Sequence, residues 1–345
     1  MGLRSYVVTR VLLTIPTLLL LFSMVFVVMR VLPGDPVSLH FEKKADPATM
    51  ENMRRILGLD KPLLQQYFDY IGSLLDTNYL FKHGYPNLGK SMGTFEEVGE
   101  QIFSAFPATL ELSIYSMMVA CFLGILLGIL SSKNYNTVLD HLIRGFGTVT
   151  YAIPVFFLGI VLQLIFGVYL HWLPTSQRII PSVDPPATIT GLYTVDSILQ
   201  GDIVKLVESL KGLILPSLTL GVILSGIFIR LTRTNMIETL RLDFVTAAKA
   251  RGLKDYTVTY GYAFRNAFLP ILTMMGLQFA LLLGGAILTE TTFSWDGLGR
   301  YLFMRIRSRD YTAIQGAVVV FGLFVALVSL VIDILYAYLD PRIRL

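Results

Sequence analysis

The motif with the most specific chemistry in this sequence is an apparent phosphate-binding loop. Residues 84–91 match the nucleotide-binding pattern GxxxxGK[ST] in full. Such a loop holds phosphate because a buried strand leads through a glycine-rich turn into the N-terminus of a helix. The preceding residues, 76–83, are polar and too few to form a buried strand. We therefore predict an ordered loop with turns at Gly84, Pro86 and Gly89, without a nucleotide role.

Other reactive side chains are few and scattered. Cys121 is the single cysteine, so the chain has no disulfide and no thiolate metal site. No HExxH-type pair is formed by the four histidines, which are His40, His83, His141 and His171. No Ser/His or paired-Asp arrangement occurs in the apolar stretches. We predict no catalytic residue and no metal ligand on this chain.

The overall composition indicates a membrane protein. Of the 345 residues, 54% are hydrophobic and only 15% are charged, against roughly 25% charged residues in an ordinary soluble domain. The mean hydropathy is +0.64. This composition excludes a cytosolic enzyme, a nucleic-acid binder and a disordered scaffold. The net charge of +4 then bears on orientation in the membrane.

Six charge-free runs are long enough to cross a bilayer, which takes about 20 apolar residues. They are residues 11–29, 112–132, 145–170, 212–229, 266–289 and 311–332. The first run is longer than the core of a cleavable signal peptide and lacks a small-residue cleavage site. We predict an all-α membrane protein with six transmembrane helices.

The distribution of Lys and Arg predicts that both termini are cytoplasmic. With the N-terminus inside, the inner segments hold 13 basic and 6 acidic residues, a net charge of +7. The outer segments hold 15 basic and 18 acidic residues, a net charge of −3. Basic residues concentrate on the cytoplasmic side of membrane proteins. One outer loop runs against this bias because it carries Arg300, Arg305, Arg307 and Arg309.

Three connecting segments are long. Residues 32–105 form a predicted extracytoplasmic insertion with short helices near 47–57 and 63–75. Residues 173–211 form a second outer segment, and residues 230–265 a basic, helix-prone cytoplasmic loop. The chain thus divides into a first transmembrane helix (1–31), the insertion (32–105) and a five-helix core (106–345).

Polar residues near the spans are candidates for lining a transport pathway. Glu111, Glu290 and Asp333 lie near span ends, where a helix-end residue reaching the interface is the first interpretation and a substrate role the second. Gln163 and Gln278 lie mid-span, and either line a polar pathway or form hydrogen bonds between helices.

Two further patterns concern the shape of the spans. Small residues recur at close-packing spacing, and prolines within two spans predict kinks or breaks. The residues concerned are Gly124, Gly128, Gly221, Ser225, Ala280, Gly284, Pro154 and Pro216.

The cytoplasmic loop contains a short alanine-rich segment. Residues 246–251 are helical by propensity, and Gly252 can end that helix with positive φ. The small side chains flanked by Lys249 and Arg251 form a compact knob that could dock in a groove of another protein. An ordinary surface helix with its cations near anionic lipid is the alternative.

The sequence resembles a known family at several points in the right order. Thr246-Ala-Ala-Lys-Ala-Arg-Gly252, followed by Asn266-Ala-Phe-Leu-Pro270, resembles the EAA loop of binding-protein-dependent ABC importer permeases. The chain is most similar to the dipeptide/oligopeptide permeases, in the subunit type with a large insertion after the first span. Further matching motifs lie at residues 32–36, 106–112, 153–156, 172–175, 288–299 and 340–344, and residues 88–91 resemble the family's outer loop.

The resemblance implies a type I ABC importer permease-like fold with a cytoplasmic coupling loop at 237–268. It implies that a helix in this loop contacts an ATPase subunit through Phe244, Val245, Thr246, Ala247, Ala248, Lys249, Ala250, Arg251, Gly252 and Leu253. Thr246 stands where the motif has glutamate, so any ionic contact made by that glutamate is in question.

The implied partners are a second, homologous permease subunit in a heterodimer, two cytoplasmic ATP-binding subunits and an extracytoplasmic solute-binding protein. The implied location is the inner membrane of a prokaryote, with lipid around the chain and no nucleic acid. ATP and Mg²⁺ are expected on the ATPase subunits, with no cofactor on this chain. Peptide is the expected substrate. A nickel chelate or an oligosaccharide remains an alternative, as does a stand-alone secondary transporter.

Overall fold

The computed structural model describes residues 3–31, 37–38, 46–284 and 286–339, and the regular secondary structure of these residues is helical apart from one isolated β-bridge between Lys90 and Glu97. The motifs at 32–36 and 340–344 lie outside the described residues. We number the helices α1 Leu3–Val31, α2 Pro47–Ile56, α3 Leu63–Leu74, α4 Thr77–His83, α5 Val98–Lys133, α6 Val138–Ala152, α7 Val155–Leu162, α8 Tyr193–Leu199, α9 Ile203–Leu240, α10 Asp243–Ala250, α11 Arg265–Leu283, α12 Ile287–Thr292, α13 Leu298–Arg307 and α14 Tyr311–Leu339. Two π-helical segments, Gln163–Tyr169 and Thr257–Phe264, continue α7 and lead into α11.

Among the described residues, five helices are long and apolar enough to cross a membrane. These candidate spans are Val7–Arg30, Val98–Lys133, Ile203–Leu240, Thr257–Leu283 and Tyr311–Leu335. Two of them extend well beyond the predicted apolar runs, because the helices of 36 and 38 residues continue into the polar segments on either side. The helix α5 begins at Val98, so it crosses the boundary at 105/106 between the predicted insertion and core.

The predicted third span, 145–170, is broken at Pro154, as the position of this proline predicts. The structure has two helical pieces, Val138–Ala152 and Val155–Tyr169, bent by 102° at a short break. Pro154 precedes the second piece and Ile153 is extended, with ψ at 129°. Proline lacks a backbone N–H and disfavours helical geometry in the residue before it, which explains the break. Pro216, in contrast, lies inside the uninterrupted helix α9.

The predicted fifth span, 266–289, is wrong at its C-terminal end. The helix α11 ends at Leu283, and Ile287–Thr292 forms the separate helix α12. The apolar run continues through this region, but Thr289 and Glu290 are buried and polar. Buried polar groups must find hydrogen-bond partners, and Glu290 finds them outside its own helix.

The core is built around the two longest helices, α5 and α9. A Cβ added at Gly124 would lie 2.2 Å from Cβ of Phe228, and one added at Gly128 would lie 2.5 Å from Cβ of Thr232. Glycine at these positions therefore allows the two backbones to approach, as the small-residue spacing predicts. Ala108, Leu112, Leu213 and other apolar residues fill this core.

The insertion contains the two predicted short helices and one more. The helices α2 and α3 lie at the predicted positions, and Pro47 occupies the first helical position of α2, where its missing N–H is not needed. The first transmembrane helix packs along α14 at the edge of the bundle. A Cβ at Gly322 would lie 1.9 Å from a methyl group of Leu21, so this contact also requires glycine.

Candidate functional site

The predicted knob is the helix α10, which ends as the sequence predicts. Gly252 has φ of 76° and follows the helix. Its N–H donates to the carbonyl of Lys249 at 2.9 Å, and the N–H of Leu253 donates to that of Ala248 at 3.4 Å. These two hydrogen bonds form a Schellman motif, which satisfies carbonyls that a helix end otherwise leaves open. The motif sets the direction of the chain beyond the knob.

One face of α10 is anchored in the bundle. Val245 and Ala248 are buried and pack with Ile129 of α5, Met236 of α9 and the segment that leads into α11. Burying a side chain such as Val245 stabilises the fold by roughly 1.5–3 kcal/mol. The helix therefore shares one buried apolar cluster with residues of α5, α9 and α11.

The opposite face of α10 is open to solvent. Of the ten predicted coupling residues, eight are exposed: Phe244, Thr246, Ala247, Lys249, Ala250, Arg251, Gly252 and Leu253. This face has a flat centre of small side chains with an aromatic ring and cations around it. Thr246, which replaces the motif's glutamate, is also exposed and points away from the bundle's core cluster.

Replacing Gly252 tests the backbone at the end of α10. No atom lies within 4 Å of a Cβ added at this position, so only the positive φ resists a side chain. We expect Gly252→Asn to retain most of the transport activity, because asparagine tolerates this conformation. We expect Gly252→Val to lower activity, since the strain costs roughly 1–2 kcal/mol or more for a β-branched residue. The measurement is substrate uptake, and equal losses in both variants would contradict a backbone cause.

Ion pairs fix the ends of the long helices near α10. Lys133, the last residue of α5, contacts Asp255 at 2.6 Å just after the knob. Its hydrogen bond lowers the pKa of Asp255 below the usual value. Asp140, at the start of α6, is fully buried and receives two hydrogen bonds from Arg233 of α9, at 2.7 and 2.8 Å. The hydroxyl of Ser131 donates to the same carboxylate.

At the other end of the bundle, Glu290 belongs to a buried hydrogen-bond network. Its Oε1 accepts from the hydroxyl of Thr109 at 2.8 Å, and its Oε2 accepts from the N–H of Arg300 at 2.9 Å. The same Thr109 hydroxyl accepts from the N–H of Leu298 at 2.8 Å. The indole of Trp295 donates to the carbonyl of Ala108 at 2.8 Å. The motifs at 106–112 and 288–299 are thus joined in space.

Glu111 lies in a second buried network beside the first. Its Oε2 accepts from Arg178 at 2.7 Å, and its Oε1 accepts from the N–H and hydroxyl of Thr194 at 2.8 and 2.7 Å. The guanidinium of Arg178 also stacks over Tyr193, with Cζ 3.6 Å from the ring centre. This network fastens the outer segment 173–211 to α5.

Asp196 organises the turn within that outer segment. Its carboxylate accepts from the N–H groups of Ile189, Thr190 and Gly191 at 2.8–3.2 Å, and from the hydroxyl of Thr190. Burial by itself would raise the pKa of Asp196, but these hydrogen bonds outweigh it and hold the pKa below its usual range. The Asp196 carboxyl group that holds this turn is therefore charged at neutral pH.

The two mid-span glutamines differ in their surroundings. The side-chain amide of Gln163 donates to the carbonyls of Thr175 and Thr292 at 2.6 and 3.1 Å, so it bonds between segments. Gln278 is half-buried, and its amide lies 3.7 Å from the sulfur of Met274 in its own helix. Glu111 and Glu290, like Gln163, form their hydrogen bonds with other segments of the chain. Asp333 lies 3.3 Å from Arg10 and so pairs α14 with α1.

The apparent phosphate-binding loop has another structure. Gly84 ends the helix α4 with φ of 80°, so a helix rather than a strand precedes the loop. The hydroxyl of Ser91 and the N–H of Met92 donate to the buried carboxylate of Asp310, which also accepts from the N–H of Ala313 and so caps α14. The Ser91 hydroxyl is therefore engaged by a carboxylate of this chain, and the strand that a phosphate-binding loop needs before it is a helix here.

Sequence reasoning missed four charged residues that organise the molecule: Asp140, Arg178, Arg233 and Asp310. Each is at least four-fifths buried and makes its decisive contact with a residue far away in the chain or on another helix. Arg233 carried one available signal, since a charged residue near the end of an apolar run needs a partner. The partner itself could not be read from the spacing.

Comparison with known proteins identifies a family for nearly the whole chain. Residues 124–345 match the family described as "Binding-protein-dependent transport system inner membrane component", and residues 3–113 match its N-terminal component. The chain is 38% identical over 343 residues to a di/tripeptide transport system permease protein of Pseudomonas aeruginosa, covering 99% of this chain and 98% of that protein.

Two further relatives show similar coverage. A dipeptide transport system permease protein of Alkalihalophilus pseudofirmus is 38% identical over 340 residues, with 99% of both chains covered. A glutathione transport system permease protein of Escherichia coli is 36% identical over 340 residues, again with 99% of both chains covered. With its long apolar helices, this chain belongs to the inner-membrane permease components of binding-protein-dependent ABC transport systems.

Proposed function

We propose that this chain carries short peptides across the inner membrane as a permease subunit of an ATP-driven importer. The observation that supports it most directly is the helix α10, which is anchored to three long helices on one face and exposed on the other. Such a helix can pass a movement of a docked ATPase subunit to the spans. Family membership supplies the class of machine in which this happens.

The substrate class follows from the relatives. Their names give dipeptides, di- and tripeptides and glutathione, all of which are short peptides. A nickel chelate or an oligosaccharide has no support among these relatives. We therefore infer that this importer carries peptides of two or three residues, with the solute-binding protein selecting among them.

The proposed topology has six spans and both termini in the cytoplasm. The bent pair Val138–Ala152 and Val155–Tyr169 counts as one broken span. This arrangement puts α10 on the ATPase side, and it puts the insertion and the networks of Glu111 and Glu290 on the side of the binding protein. The surplus of basic residues in the inner segments supports it.

The proposed mechanism is alternating access driven through α10. Closure of the ATPase dimer moves the helix, and the movement reaches α5 and α9 through Ile129 and Met236. The ion pairs Lys133–Asp255 and Arg233–Asp140, with N–O distances of 2.6 and 2.7 Å, make the connected helix ends move together. The break before Pro154 gives the bundle a hinge at which two rigid pieces can change their angle. Coupling is reciprocal, so substrate delivery also favours one state of the ATPases.

The outer networks are proposed to hold the extracytoplasmic ends in position during this change. Glu111, Glu290 and Gln163 bond between segments, so we assign them to this scaffold. Among the candidates for lining the pathway, Gln278 is the one whose amide we propose for contact with substrate, since Glu111, Glu290 and Gln163 bond to other segments and Asp333 pairs with Arg10. The mostly neutral spans suit a passage for peptides of varied side chains.

The proposed partners are a second homologous permease subunit, two ATPase subunits and a solute-binding protein. ATP and Mg²⁺ are assigned to the ATPase subunits, and we assign no nucleotide role to the 84–91 loop, which a helix precedes and whose Ser91 hydroxyl donates to Asp310.

Uptake by the reconstituted importer tests the proposed function. The chain is assembled with its partner subunits in proteoliposomes, loaded with ATP and supplied with the binding protein. We expect uptake of labelled dipeptides and tripeptides that requires both ATP and the binding protein. Uptake of a nickel chelate or an oligosaccharide in place of peptides would contradict the substrate class. Uptake without ATP would contradict the importer itself.

A further inference from the structure

The helix α3 of the insertion has an apolar sector that no described residue covers. One sector faces α1, where Tyr67 and Tyr70 contact the ring of Phe26 at centroid distances of 5.3 and 5.7 Å. The next sector around the helix is apolar but open, since Leu64 is 74% exposed and Phe68 68% exposed. The remaining sector is polar. At 3.6 residues per turn, the open apolar sector is centred about 100° from the one that faces α1.

The depth of α3 is set by its contact with the first span. The hydroxyl oxygens of Tyr67 and Ser23 are hydrogen-bonded at 2.7 Å. Ser23 precedes Arg30, the end of the candidate span, by seven residues, which corresponds to about 10 Å along a helix. The 24-residue span is about 36 Å long and the hydrocarbon layer about 30 Å thick. The hydroxyl of Tyr67 therefore reaches below the boundary between headgroups and acyl chains.

The open sector continues a surface that already faces lipid. At the same end of α1, Met24 is 63% exposed and Val27 49% exposed. These residues belong to a candidate membrane span and are not covered by other described residues of this chain. Leu64 and Phe68 lie within one turn of Tyr67 on α3, whereas the polar residues Gln65 and Asp69 project from another side of the helix. Apolar side chains on one sector and polar ones on the other are typical of helices that lie in a membrane interface.

We propose that α3 is an interfacial helix whose stripe of Leu64, Phe68 and Leu75 inserts among the acyl chains of the leaflet at the outer end of α1. Its partner is the lipid bilayer, and its polar sector faces water. The insertion is thereby held against the membrane at a fixed height beside the first span. The inference rests on the proposed topology only for whether this leaflet is the outer or the inner one, because the depth of α3 beside the first span is the same in either topology.

Collision accessibility of a nitroxide label tests this placement. The assembled importer in lipid nanodiscs, without binding protein, carries Cys121→Ala and one labelled cysteine, introduced as Phe68→Cys or, on the polar sector, as Gln65→Cys. Power saturation is measured with oxygen, which partitions into lipid, and with a water-soluble nickel chelate. We expect several-fold greater access to oxygen than to the chelate at position 68, and the reverse at position 65.

Two results would overturn the proposal. Greater access to the chelate at position 68 would mean that the stripe faces water. Exclusion of both reagents there would mean that a protein subunit covers it. Should Phe68→Cys fail to assemble, Leu64→Cys on the same stripe serves the same purpose. The measurement does not involve transport, so loss of the proposed function would leave its outcome unchanged.

Discussion

Ala247→Glu should reduce ATP-driven uptake by at least about tenfold while the importer still assembles. Ala247 lies in the exposed centre of α10, between the buried positions that hold the helix in the bundle. A long acidic side chain there would separate this face from an ATPase groove and place an unpaired charge in the contact. Losses of 2 kcal/mol or more are usual at the centre of an interface, and about 1.4 kcal/mol already corresponds to tenfold.

The measurement combines uptake in proteoliposomes with ATPase activity and co-purification of the subunits. Ala247→Ser is the matched control, since it keeps the side chain small and should leave uptake nearly unchanged. Ala248→Glu separates docking from folding, because Ala248 is only 4% exposed and a carboxylate there would disrupt the packing with Ile129 and Met236. We expect that variant to give little assembled protein. Normal uptake by assembled Ala247→Glu importer would contradict the assignment of α10 as the coupling helix.

Breaking the Glu111–Arg178 pair from one side should destabilise the protein by about 3–5 kcal/mol, because it leaves an uncompensated buried charge. The two side chains are 2% and 9% exposed and their nearest atoms are 2.7 Å apart. Glu111→Leu also removes the acceptor for Thr194, and Arg178→Leu removes the stacking on Tyr193. In the double variant neither charge is left alone, so the loss should be smaller than the sum of the single losses.

Thermal unfolding of the purified protein in detergent measures these differences. Lys211→Leu is the control, since its pair with Glu208 is partly exposed, at 44% for the lysine side chain, and water already screens it. We expect a much smaller effect there. Strictly additive losses for the double variant would show that Glu111 and Arg178 do not stabilise each other, and would remove the outer scaffold from the proposed mechanism.

The local features of the chain could be predicted from the sequence. The helix α10 and its turn at Gly252 were predicted because propensity and the positive φ of glycine act over a few residues. The helices α2 and α3 were predicted for the same reason. The tight contact at Gly124 and Gly128 followed from their spacing, since a one-turn repeat of small residues makes a groove on one face of any helix.

Features that depend on distant partners were out of reach. The run 145–170 is free of charge, and its proline predicts a kink or a break without deciding between them; the structure has a bend of 102° there. Proline at position 216 has the same local chemistry and sits in a continuous helix. Hydropathy counts residues along the chain, so it cannot distinguish these two outcomes.

The sequence by itself determined that this protein spans a membrane and belongs to a family of importer permeases, because hydrophobic runs and motifs are properties of the linear chain. The tertiary structure alone decided what its charged groups do. Glu111 meets Arg178, Asp140 meets Arg233, and Asp310 meets Ser91 across 67, 93 and 219 residues. A buried charge is tolerated only beside its partner, and that partner is selected by the packing of helices in three dimensions, which no local pattern encodes.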